Sequence, residues 1–208
     1  MQLIGMLDSP YVRRVAISLQ LLGLPFEHQS ISVFRGYDEF RKLNPIVKAP
    51  TLICDDGVVL MESTLILDYA EALAAPRSLM PAAPAARRDA LRILGLALAA
   101  CEKSIQIVYE HQLRPSEKLH QPWLTRVTQQ AHAAFAELER AIAARGSAAP
   151  AWDQAAITAA VAWYFTQAMH PEAFPADSHP VLAALSAAAE ATPPFAAAPH
   201  GDGVCKGR

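Results

Sequence analysis

Three short clusters in the first third of this 208-residue chain carry groups that could do chemistry. Ser9 follows the apolar run 2–6 and stands directly before Pro10. Serine followed by proline reads as a helix start, with Ser9 at the N-cap and Pro10 at the first helical position. A hydroxyl there sits among backbone N–H groups that lack helical partners, at the positive end of the helix dipole. Such a place stabilises an anion, and a thiolate is one; it lowers the pKa of a thiol held there. Ala49-Pro50 opens the run Thr51-Leu52-Ile53. Proline cannot donate to a ladder, so it suits a strand start, and it is a candidate for a cis bond. In cis, the N–H and C=O of Ala49 would face outward, where an extended peptide could pair with them. Glu62-Ser63 comes just before Leu65-Ile66-Leu67, so Ser63 is placed to cap a helix. Each cluster also has a plain structural reading, as a cap or a strand start, and Tyr11 could supply a hydroxyl in place of Ser9.

The elements that must position these residues follow in order. A strand over 2–6 leads to a helix in which Val12, Val15, Leu19 and Leu22 share a face, with Arg13, Arg14 and Gln20 between them. Gly23 and Pro25 stop it. A second strand is expected over 26–33 and a short polar helix over 36–43, broken by Asn44-Pro45. The apolar runs on either side of Asp55-Asp56-Gly57 read as a hairpin. A helix from 63 to about 73 follows, with Leu65, Tyr69 and Leu73 on one side. The order β-α-β-α-β-β-α needs a parallel crossover and then an antiparallel hairpin, a thioredoxin-like layout. Pro76, Pro81 and Pro84 mark residues 76–84 as a linker. Beyond it strand signals stop. Helices are expected from 85 to about 110, over 121–145 with Gly146 as the stop, over 158–169 and from 180 to about 191. From 192 onward, Pro, Gly and Ala dominate, and a loose tail is expected.

The run Ser9-Pro10-Tyr11-Val12-Arg13 resembles the Ser-Pro-Phe/Tyr-Val-Arg/Lys start of the serine-type bacterial and plant glutathione S-transferases. The unit of proline, hairpin, Glu-Ser and helix resembles the way that family builds its glutathione site. The resemblance extends over almost the whole chain and is most specific from 1 to about 73. It implies a thioredoxin-like glutathione-binding domain at 1–75, the linker at 76–84, and an all-helical domain at 85–208 that shapes the pocket for an electrophile. It implies that Ser9 activates the glutathione thiol and that Ala49 and Pro50 grip the cysteinyl part. Lys48 would lie near the glycyl carboxylate, while Glu62 faces the γ-glutamyl ammonium and Ser63 its carboxylate. Tyr11, Tyr109, His111 and Trp163 are candidates for the electrophile pocket. The implied reaction is attack of glutathione thiolate on a small hydrophobic electrophile, with a detoxifying role and a homodimer. Two alternatives stand beside it: another glutathione-dependent enzyme (isomerase, dehalogenase or peroxidase), or a non-catalytic adaptor on the same scaffold. The family's central-helix start, Ser/Thr-x-x-Asp, is half kept: Thr158 is present, and Val161 occupies the acidic position.

Composition narrows the rest. Hydrophobic residues at 52% and charged residues at 18% allow a sizeable core. A formal charge of −2 gives no reason to expect nucleic acid or an anionic membrane as partner. No apolar run is long enough for a membrane span, and residues 1–5 lack the form of a secretory signal. Cys54, Cys101 and Cys205 are far apart, which suits a reducing cytoplasm. The seven histidines show no metal-binding spacing, so no metal is expected, and the resemblance implies glutathione as the co-substrate.

Overall fold

The computed structural model describes residues 1–145 and 152–206. These form two compact units, Met1–Leu79 with Glu190–Arg208, and Met80–Ala189. The division falls inside the expected linker. The terminal segment, however, belongs with the first unit, not with the helical one.

The first unit holds a four-stranded sheet in the order β2-β1-β3-β4. Its strands are β1 (Gln2–Ile4), β2 (Glu27–Gln29), β3 (Thr51–Ile53) and β4 (Val59–Met61). β1 runs parallel to β2 and antiparallel to β3, and β3 is antiparallel to β4. The helices are α1 (Pro10–Leu22), α2 (Tyr37–Leu43) and α3 (Ser63–Ala74), so the expected thioredoxin-like order is present. β2 is shorter than the run 26–33: past Gln29 the chain bends, and the Ser32 hydroxyl accepts the N–H groups of Phe34 and Arg35.

α1 begins and ends where the sequence rules place it. Ser9 caps it, and Gly23 closes it in the left-handed region at φ 72°, with its N–H on Gln20 and the N–H of Leu24 on Leu19. Arg13 and Arg14 do not form a solvated face. Each is 1% exposed. On α3 the side shared by Leu65, Tyr69 and Leu73 is not the core side. Ile66, Leu67 and Ala70 face the core, whereas Leu65, Tyr69 and Leu73 are exposed. Its N-cap is Glu62, and Ser63 is the first helical residue.

The terminal segment is not loose. It forms α8 (Pro193–Ala196) and buries Phe195 and Ala198 completely. Arg13 Nε donates to the Ala198 carbonyl at 2.8 Å, and its two Nη atoms fork onto Glu190 at 2.8 and 2.6 Å. Gln20 donates to the Pro194 carbonyl, and Ser30 to that of Asp202. His28 completes the attachment. Its Nε2 meets the Gly5 carbonyl at 2.7 Å, and its Nδ1 accepts the Cys205 N–H at 2.9 Å. One ring nitrogen donates and the other accepts, which only the neutral imidazole can do.

The second unit is helical: α4 (Pro84–Gln112), α5 (Gln121–Ala143), α6 (Gln154–Met169) and α7 (Pro180–Glu190). The expected stripe on α5, from Leu124 through Phe135 to Ile142, is buried. The proposed stop at Gly146 lies outside the described residues. α6 starts four residues earlier than 158. Asp153 is its cap and accepts the Ala156 N–H at 2.8 Å, and Arg145 pairs with the same carboxylate. Thr158 is therefore an interior residue rather than the cap. Its buried hydroxyl has no partner among the described residues. α6 is central, as its apolar character on most sides suggests: Trp163 is 2% exposed and meets Phe135 edge-on at 5.3 Å between ring centroids.

Burial holds the pKa of His28 below its ordinary value of 6.5, against the opposing pull of the Gly5 carbonyl. The folded form thus resists protonation at His28 more than the unfolded chain does. Its contribution is complete above about pH 6.5 and is lost as pH falls through the lower folded value. Urea titrations between pH 7.5 and 5.5 are expected to show stability falling on the acid side, with a shallower fall in His28→Gln. An equal slope in the two proteins would remove His28 from the account.

Candidate glutathione site

Sheet register brings the three clusters to one edge. Ile4 pairs with Gln29 and with Thr51, and Thr51 pairs with Met61. β1 and β4 point the same way across this row, and β3 starts at it. The segment after Ile4 leads to Ser9 and α1, the residue before Thr51 is Pro50, and the residue after Met61 is Glu62. Two helix N-termini and one strand start therefore share one end of the sheet.

At the first, the Ser9 hydroxyl accepts the Val12 N–H at 3.4 Å. It is half-buried, and among the described residues no acceptor takes its hydrogen. The O–H can donate to an anion seated at the mouth of α1. Tyr11, two residues on, is also half-buried. Asp8 is exposed, yet its carboxyl pKa is pushed up by partial desolvation, opposed by His200, the Ser9 N–H and Arg35.

At the second, the Ala49–Pro50 bond is cis. Thr51 is completely buried. Its hydroxyl donates to the Lys48 carbonyl at 2.6 Å and accepts from the Asn44 side chain at 2.9 Å. The Lys48 side chain itself is exposed. Gly5 makes the approach of Ala49 possible. It holds φ +132°, and a Cβ there would lie 3.0 Å from that of Ala49 and 2.7 Å from Val12 Cγ2.

At the third, Glu62 holds φ 73°, unusual for a residue with a side chain. Its exposed carboxylate folds back to accept the N–H groups of Thr64 at 3.1 Å and Leu65 at 3.3 Å. Ser63 lies beneath, 1% exposed, and its hydroxyl takes Arg14 Nη1 at 3.1 Å. Arg14 is the functional candidate that sequence reasoning passed over. The signal was present: α1 is apolar over nearly all its length, so two adjacent arginines could not both reach water.

The helical-unit candidates divide. Tyr109 is 44% exposed. His111 lines an open cleft of about 620 Å³ with Ile107, Leu124, Met169 and His170. Trp163 is not among the residues lining that cleft. It belongs to the helical core, packed on Phe135 and His179. Among the described residues no group of His, Cys, Asp and Glu could hold a metal ion, and no helix is long and apolar enough to cross a membrane.

Comparison with known proteins fits this geometry. The sequence model of the family described as "Glutathione S-transferase, N-terminal domain" matches residues 3–78. A glutathione transferase family member from Pseudomonas fluorescens Pf-5, solved with bound glutathione, is 31% identical with a TM-score of 0.82, covering 95% of this chain and 97% of that one. A glutathione S-transferase from Methylobacterium radiotolerans JCM 2831, solved with glutathione sulfonate, is 29% identical with a TM-score of 0.84, covering 94% and 92%. The uncharacterized GST-like protein YibF of Escherichia coli (strain K12) is 27% identical over 126 residues, which is 61% of this chain and 62% of YibF. The match therefore spans less than two thirds of that curated relative. The chain belongs to the glutathione S-transferase family.

Gly5→Ala puts a methyl group into Val12 and Ala49 at a φ that disfavours side chains. It is expected to destabilise the first unit by about 2 kcal/mol and, under the function proposed below, to weaken glutathione binding by moving Ala49. Chemical denaturation and calorimetric titration check both effects.

Proposed function

We propose that this protein is a glutathione transferase that joins the glutathione thiolate to a small hydrophobic electrophile. The observation that carries this reading is the Ser9 hydroxyl: it accepts from Val12 and keeps its own hydrogen at the opening of α1. That hydrogen, with the positive end of the α1 dipole, stabilises the sulfur anion and raises the thiolate fraction near neutral pH. The sulfur lone pair then attacks the electrophilic carbon, and the leaving group departs with the bonding electrons. Ala49 and Pro50 align the cysteinyl backbone, and Lys48 offers a cation to the glycyl carboxylate. Glu62 faces the γ-glutamyl ammonium, and the start of α3 at Ser63 faces its carboxylate. Tyr11, Tyr109 and His111 are the candidates for the electrophile pocket. A thiol co-substrate, and three cysteines with no disulfide among the described residues, suit a detoxifying role in the cytoplasm.

A homodimer is part of the same proposal. Leu65, Tyr69 and Leu73 form an exposed apolar stripe along α3, and Val59 and Met61 on the edge strand β4 are exposed as well. Such a surface favours a partner. Sedimentation is expected to give a dimer that Leu65→Glu with Tyr69→Glu converts to monomer. A monomeric wild-type protein would remove this element.

The enzymatic test is retention on immobilised glutathione followed by assay with an aryl halide. Ser9→Ala should bind glutathione yet lose about 100-fold in kcat/KM at neutral pH, the scale of removing one donor to a reacting anion. A larger loss in Tyr11→Phe than in Ser9→Ala would move the role to Tyr11. No retention of the wild-type chain would favour the adaptor reading, and recovery of unconsumed glutathione at turnover would favour an isomerase.

A further inference from the structure

Residues 198–202 span the same two places as the segment that leads to Ser9. That segment leaves the sheet at Gly5, whose N–H meets the Gln29 carbonyl at 3.0 Å. It ends at Ser9, whose carbonyl accepts the Arg13 N–H at 2.9 Å, one turn into α1. The terminal segment is held at both places. Arg13 Nε donates to the Ala198 carbonyl at 2.8 Å, and Ser30, next after Gln29, donates to the Asp202 carbonyl at 2.7 Å. The loop is closed at its base, where the Lys206 N–H meets the Ala197 carbonyl at 2.8 Å. Pro199, His200 and Gly201 therefore run alongside Met6, Leu7 and Asp8, and of those first three only His200 has a side chain that exchanges a proton. The electrostatics agree. His200 feels the charges of Arg13, Asp8 and Glu190, while Asp8 feels those of His200, Arg35 and Asp202. Arg13 is already forked onto Glu190, so Asp8, the residue before Ser9, is the carboxylate that remains to offset a charged His200.

A thiol that becomes a thiolate must hand its proton to an acceptor, and none of the roles given above includes one. The Ser9 O–H donates to the anion and takes no proton from it. A neutral imidazole can take it, and a thiol paired with an imidazole ionises more readily than a thiol alone. His200 is half-buried. Burial holds its pKa below the ordinary value of 6.5, helped by Arg13 and opposed by Asp8 and Glu190. At neutral pH it is therefore uncharged before the tripeptide arrives, as a proton acceptor must be. We infer that His200 takes the proton of the glutathione thiol and stays beside the thiolate as an imidazolium, with Asp8 as its counter-charge. This rests on the glutathione reading of the site. The S–H bond breaks with its electrons left on sulfur, and the proton moves to a ring nitrogen of His200. Sulfur then bonds to the electrophilic carbon, the leaving group departs with its bonding electrons, and His200 returns the proton to water. Asp8 is a positioning residue: its charge supports the imidazolium without touching the sulfur.

The test is a proton count on the full chain with glutathione. Ultraviolet difference absorbance gives the thiolate formed, and calorimetric titration in two buffers of different ionisation enthalpy gives the protons released. At about pH 7 the wild type should release less than about half a proton per thiolate, because His200 keeps it. His200→Gln should release about one, with the bound thiol pKa raised by about one unit and kcat/KM for an aryl halide about 10-fold lower. Raising the pH should restore most of that loss, which damage to the loop would not allow. Asp8→Asn keeps an oxygen for the Ser9 N–H and leaves the loop anchors in place. It should move the count toward that of His200→Gln with the imidazole still present. An unchanged count in Asp8→Asn overturns the part given to Asp8. A wild-type count of about one proton per thiolate, or equal counts in wild type and His200→Gln, overturns the role of His200 and leaves the site reading standing. A wild-type chain that forms no thiolate at saturating glutathione overturns the site reading and this inference with it.

Discussion

The site depends on one row of residues across the sheet, Gln29, Ile4, Thr51 and Met61. Each segment leaves or enters its strand at this row, so the pairing register decides what stands at the sheet's end. A slip of one residue would turn every side chain of that strand to the opposite face. Leu3 and Leu52, both fully buried, resist such a slip. The buried Thr51 adds a polar lock, since its hydroxyl bonds both to Lys48 and to Asn44. Position thus comes from apolar burial and ladder pairing, while the chemistry comes from what the row presents.

What it presents is positive. Two helices open at this end of the sheet, and a buried guanidinium lies behind the second. Against that background Glu62 is the compensating negative group, bent back at a positive φ to cap its own helix. The same carboxylate that satisfies the amides of Thr64 and Leu65 remains exposed to solvent. In the proposed reading this corner receives the ammonium and carboxylate of the γ-glutamyl group, and the mouth of α1 the sulfur anion. Attachment of the terminal segment strengthens this end of the unit. His28 joins Cys205 to Gly5, the residue that admits Ala49.

Local signals in the sequence mark the element boundaries of the first unit. Ser9-Pro10 and Gly23 bound a helix, Asp-Asp-Gly turns a hairpin, and the order of elements follows from them. Where apolar residues surround an element, periodicity could not choose a face. On α3, Leu65, Tyr69 and Leu73 form as regular a stripe as Ile66, Leu67 and Ala70, and the second set is the buried one. α6 has no polar side to mark its start, so the pattern points to Thr158, whereas the cap is Asp153. The terminal segment is held by Arg13, Gln20, His28 and Ser30, all far away in sequence, and its Ala, Pro and Gly residues carry no periodic sign of that. Ser9, Ala49, Pro50, Glu62 and Ser63 could be named because motif spacing placed them, and register then brought their segments together. For Arg14 the sequence holds only the oddity of two adjacent arginines in an apolar helix, and nothing in it marks the partner 49 residues away. Trp163 was an aromatic residue at helical spacing, and it went to the core as such residues usually do.

The central claim is that the sulfur of a γ-glutamyl tripeptide rests at the opening of α1. A crystal structure of the chain with glutathione bound tests it most directly. The account predicts the sulfur within hydrogen-bonding reach of Ser9 Oγ, with the cysteinyl backbone alongside Ala49 and the α-carboxylate at the first turn of α3. A tripeptide bound elsewhere, or one lying in this groove with its sulfur turned away from Ser9, would contradict it.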